Sequence, residues 1–146
     1  MKKFLFPVLC ISTITAFLIG CSDKNDTNLG SSFDQAQQIE VLSSTNGELQ
    51  TTIADNQKIA DFVSSLKLDK WELAQVPSEA IAGSTFLMNK QQTIRLGEST
   101  NEEKRLQEVA KIITYENVPF VDLVMKDNKL SFSIPENVAS YLQDFK

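Results

Sequence analysis

Residues 121–146 read VDLVMKDNKLSFSIPENVASYLQDFK, and they decide the fold class. Val121–Met125 is an apolar run, and Asp127-Asn128 breaks it with turn chemistry. In Lys129–Ile134, Leu130, Phe132 and Ile134 alternate with Ser131 and Ser133, so one face of that strand lies on a core and the other meets water. Pro135 suits the first position of a helix, where its missing N–H costs nothing. Val138, Tyr141, Leu142 and Phe145 then step at helical spacing. A hairpin followed by an amphipathic helix predicts helices laid on one face of an antiparallel sheet.

The segment from Gln38 repeats this grammar. Ile39-Glu40-Val41 alternates, Asn46-Gly47 is a strong hairpin signal, and Leu49–Ile53 returns as the second strand. Asp55 is a helix N-cap, and Ile59, Phe62, Val63 and Leu66 follow at i, i+3, i+4 and i+7. Lys58, Asp61, Ser64 and Lys67 fall on the outer face of that helix.

Between these two parts the pattern is weaker. Residues 71–75 alternate around Trp71 and Leu73 and end at Pro77. Thr85–Met88 and Thr93–Leu96 read as a hairpin joined by Asn89-Lys90-Gln91-Gln92. Ser99 and Glu102 form a capping box ahead of Leu106, Val109, Ala110 and Ile113, which predicts a short helix over 100–111. Ile112-Ile113-Thr114-Tyr115 prefers strand. The predicted fold class is α+β, an antiparallel sheet with two or three helices packed on one face, including a C-terminal helix.

The first twenty residues have a different character. Lys2 and Lys3 make a positive start, and Phe4–Ile19 is sixteen largely apolar residues, short of the ~20 that span a bilayer. The run closes on Leu18-Ile19-Gly20-Cys21. This ending resembles the lipobox of bacterial lipoproteins, in which an aliphatic residue and small residues precede a cysteine. The resemblance implies cleavage between Gly20 and Cys21, and a diacylglyceryl group carried as a thioether on the Cys21 thiol. It also implies a cell membrane location, lipid-anchored and facing outside the cytoplasm. Residues 22–37 are polar, lack apolar periodicity, and read as a tether. The expected organisation is a signal peptide at 1–20, lipidated Cys21 and tether over 21–37, and one extracytoplasmic domain over 38–146. The layout is similar to that of small uncharacterised lipoprotein domains of Gram-positive bacteria, a likeness that carries no functional residues across.

A chain of 146 residues suits one domain. The net charge is −5, and removal of Lys2 and Lys3 with the leader leaves 12 basic and 19 acidic residues, or −7. A chain this acidic gains nothing from counterion release, so nucleic acid is not an expected partner. Electrostatic attraction to anionic headgroups fails for the same reason, leaving lipid as the membrane contact. Of the two cysteines, Cys10 leaves with the leader and Cys21 takes lipid, so no internal disulfide forms. The domain is expected to be monomeric and held by its core alone.

The catalytic inventory is thin. There is no histidine, which removes the commonest general base, and no thiol remains for nucleophilic attack or soft metal ligation. No Gly-rich phosphate loop occurs. Asp23, Asn25, Thr27 and Asp34 mimic part of a calcium loop, but Asn28 stands where such a loop turns on glycine. Glu98, Glu102, Glu103 and Glu108 form the densest acidic cluster and read as a solvated face beside Lys104, Arg105 and Lys111. Ser64 and Lys67 belong to an outer helix face rather than to a dyad. Trp71 reads as core. Arg95 alternates outwards with Thr93; if Asp122, Ser131 and Ser133 share that outer sheet face, it is polar and open, and reads as plain solvated sheet ahead of a binding platform. No cofactor, metal site or catalytic residue is assigned. The expected function is non-enzymatic binding or accessory work at the cell surface, with a surface protein or wall ligand as partner. The alternative is a cell-wall-active hydrolase that relies on carboxylates only.

Overall fold

Asp55 does what its position requires: its side chain accepts from the Lys58 N–H at 2.9 Å and starts helix α1, Asn56–Ser65. Lys67 adopts a left-handed conformation (φ 48°) and turns the chain into a single 3-10 turn at Leu68–Lys70. Gly47, at φ 71°, turns the first hairpin. Pro135 caps the second helix, α2, Glu136–Gln143.

The computed structural model describes residues 30, 33–91 and 106–145. Seven strands form one sheet: β1 Gln38–Ser43, β2 Leu49–Ile53, β3 Glu72–Leu73, β4 Ala82–Gln91, β5 Leu106–Tyr115, β6 Phe120–Met125 and β7 Asn128–Ser133. Their spatial order is β2-β1-β4-β5-β6-β7-β3, with antiparallel neighbours throughout. The α+β class and the C-terminal helix hold, with strands outnumbering helices.

Alternate positions build the inner face. Ile39 and Val41, Phe86 and Met88, Ala110 and Ile112, Val121 and Leu123 are all buried. Both helices lie on that face. Phe62 of α1 packs on Phe86 at 5.4 Å, Tyr141 at 6.0 Å and Phe145 at 5.7 Å between ring centroids. Each such pair contributes roughly 0.5–1.5 kcal/mol beyond the area it buries. Phe62 thus joins both helices to the interior strand β4.

Three expectations need correction. The hairpin expected at 85–96 is not there: β4 continues through Asn89, Lys90 and Gln91, paired to β5 as far as Gln91↔Leu106. Polar residues without glycine make a poor turn when strands on both sides offer hydrogen bonds, and Asn89 also pairs with Gln38 of β1. Residues 93–96 lie outside the described residues. The helix expected at 100–111 is replaced from Leu106 onward by β5. There Ala110, Ile112 and Thr114 face inward at a period of two, and the β-branched run wins over the helical spacing. Finally, the stretch read as tether reaches the core before Gln38. Phe33 is fully buried and Ala36 nearly so, and the Asp34 N–H bonds to the Gly30 carbonyl at 2.9 Å.

Trp71 is a core residue. It is 8% exposed, its indole N–H donates to the Leu66 carbonyl at 2.7 Å, and its ring meets Phe132 at 5.6 Å.

Candidate functional site

The outer face of the sheet, away from the helices, carries a cross-strand row Leu42–Thr85–Ile113–Asp122–Ser131. Asp122 and Ser131 therefore share a face. Asp122 is not open to water, however; it is 1% exposed. Ser131 Oγ donates to its Oδ1 at 2.6 Å, Lys129 Nζ approaches its Oδ2 at 2.6 Å, and the Tyr115 hydroxyl donates to the same Oδ2.

These contacts set the charge state. Burial pushes the Asp122 carboxyl up, but hydrogen bonds from Lys129, Ser131 and Tyr115, with the Lys129 charge, outweigh burial and hold it below the usual carboxylate range. Tyr115 is pushed up to about 12 by burial, by its bond to Asp122 and by the charge of that carboxylate. A tyrosine raised on folding favours the folded state below its ordinary pKa of about 10, and that stability drains as pH rises towards 12. Tyr115→Phe should therefore remove an alkaline component of unfolding. Ultraviolet titration of Tyr115→Phe should lose the phenol step near 12; unchanged titration in that variant would contradict the assignment.

A carboxylate held ionised and already accepting three donors is a poor general acid and a blocked base. Among the described residues it is also the only buried charged group. The cluster pins β5, β6 and β7 together.

A second feature lies at one end of the sheet, below the last turn of α2. The β4 ladder shifts register between Ala82 and Thr85. Thr114 closes that bulge from β5: its Oγ1 accepts from the Ser84 N–H at 2.9 Å and donates to the Ser84 carbonyl at 3.1 Å. Gly83 permits the approach, since a Cβ there would stand 3.3 Å from Thr114 Oγ1. Asn117, left-handed at φ 58°, turns the chain from β5 towards β6. The result is a cleft of about 270 Å³ whose polar side chains include Ser43, Thr45, Ser84, Glu116, Asn117 and Gln143. That volume lies just under the roughly 300–1,000 Å³ usual for small-molecule sites.

The residues singled out in the sequence do not converge here. Gly20, Cys21, Arg95, Glu98, Glu102 and Glu103 lie outside the described residues. Glu108 sits on β5, 3.5 Å from Lys111 and near the surface, an ordinary exposed pair. Ser64 bonds to the Asp61 carbonyl of its own helix. No three cysteine or acidic side chains gather among the described residues. The cleft was invisible in the sequence because five segments each contribute a hydroxyl or an amide. Gly83 and Asn117 were the only local signals.

No protein-family model matches the chain, and no curated protein matches it. The fold is similar to that of a thioesterase-like protein from Clostridium sporogenes ATCC 15579, with 14% identity, 75% of this chain and 93% of that chain covered, and a TM-score of 0.43. A likeness at that level carries no argument about chemistry.

Proposed function

We propose that this protein is a bacterial lipoprotein whose folded part is a non-enzymatic binding module at the outer side of the cell membrane. The anchor rests on the leader: a positive start, an apolar run too short to span, and Gly20-Cys21 at its end. No helix among the described residues is long and apolar enough to cross a membrane. Two acyl chains supply stable attachment, where one gives only marginal binding. Phe33 lies twelve residues beyond Cys21. Fully extended, those residues reach about 40–43 Å, so the domain works within that distance of the lipid.

The observation that supports binding over catalysis is Asp122. A carboxylate-only hydrolase needs an acid raised towards neutrality, or a second carboxylate across a cleft. The one buried carboxylate among the described residues is instead lowered and saturated with donors. Ligand contact falls to the cleft beside Ser84 and Glu116.

Two experiments test this reading. Cys21→Ala should abolish palmitate labelling and accumulate an uncleaved precursor; normal labelling would remove the anchor. Purified mature protein should release no soluble fragments from cell-wall preparations. Release that disappears in Asp122→Asn, with the variant still folded, would establish the hydrolase instead.

A further inference from the structure

We infer that the cleft below α2 takes a primary ammonium group carried on a small hydroxylated body, the chemistry of an amino sugar. The inference rests on the binding reading above and names its ligand class. Three observations meet there. Among the described residues, Glu116 is the only charged one lining the cleft, and no lysine or arginine lines it. An anionic ligand would find no counter-charge, whereas a cation finds a carboxylate beside the carbonyl end of α2, which carries partial negative charge.

The second observation is Ser84. It is 7% exposed, and its backbone N–H and carbonyl are both engaged by Thr114. Its hydroxyl has no hydrogen-bond partner among the described residues, yet no fully buried side-chain polar atom there is left unsatisfied. The hydroxyl is therefore open to the cleft that Ser84 lines. A buried residue with one free donor and acceptor suits a ligand hydroxyl.

Third, the remaining lining offers hydroxyls and amides, from Ser43, Thr45, Asn117 and Gln143. Such groups both donate and accept, as ring hydroxyls do. The volume of about 270 Å³ admits one sugar-sized ring and little more.

The test compares glucosamine with N-acetylglucosamine, which differ in the charge of one nitrogen. Backbone amide shifts of the mature chain are followed during titration with each. Glucosamine should move the amides of Ser84, Thr114, Glu116 and Asn117, and bind about fivefold more tightly than the acetylated sugar, the upper end of what an exposed ion pair supplies. Glu116→Gln should erase that preference while retaining weak binding of both sugars. Ser84→Ala should weaken both alike. Glu116 is exposed in a turn, so its variant keeps the fold, which the unshifted remainder of the spectrum reports. Equal binding of the two sugars in the cleft overturns the ammonium inference and leaves the binding reading standing. If neither sugar, nor glucose, moves these amides, the inference fails and the cleft loses its assigned role.

Discussion

Phe33→Ala should lower the free energy of unfolding by about 3–5 kcal/mol, the usual cost of emptying a fully buried phenylalanine site. Phe33 is 0% exposed and belongs to the same core cluster as Ile59 and Phe62 of α1. The groove beside it is lined by Ile59, Ala60 and Val63, so removal of the ring extends open space under the helix rather than letting the wall collapse. Trimming the chain to begin at Gln38 should cost at least as much, because Ala36 and the Gln37 N–H bond to the Asn89 carbonyl (2.8 Å) leave with Phe33. Urea unfolding of residues 22–146, the variant and the trimmed chain measures this. Coincident midpoints would show that Phe33 merely rests on the domain.

Asp122→Asn should cost about 1–3 kcal/mol at neutral pH, the range for leaving buried hydrogen-bonding groups poorly matched. Ser131 and Tyr115 lose a charged acceptor, and the new amide brings donors where only acceptors are wanted. The larger losses typical of broken buried ion pairs, about 3–5 kcal/mol, do not apply, because the Lys129 side chain is 58% exposed and turns to water. The acid limb follows with its sign. Asp122 is lowered in the folded protein, so the unfolded chain takes up its proton first as pH falls. The stabilisation is complete above the unfolded value of about 3.9 and is lost as pH falls from there through the lowered folded value. Unfolding midpoints measured from neutrality to pH 2 should fall less steeply in Asp122→Asn than in the parent. Equal slopes would show that the carboxylate is not held as described.

Part of this arrangement was legible in the chain. Leu130, Phe132 and Ile134 announced a half-buried strand, Asn46-Gly47 a hairpin, and Asp55 with Ile59, Phe62 and Leu66 an amphipathic helix. Each works because its signal is local: a period of two or 3.6, a cap, a glycine at positive φ. The misreadings have the opposite cause. Asn89-Lys90-Gln91 resembles a turn only when the strands on either side are unknown. Leu106, Val109, Ala110 and Ile113 resemble a helix until Ile112 and Thr114 find partners on β4 and β6.

The sequence by itself determined the fold class and both helices, since short-range periodicity and capping chemistry suffice for them. Only the tertiary structure decided that Phe33 belongs to the core and that β4 continues to Gln91. It also turned Asp122 from an open surface carboxylate into a closed pin and placed Ser84, Glu116 and Gln143 around one cleft. Each of those facts depends on residues far apart in the chain. Burial and pairing between distant segments are properties of the packed sheet, and no local pattern encodes them.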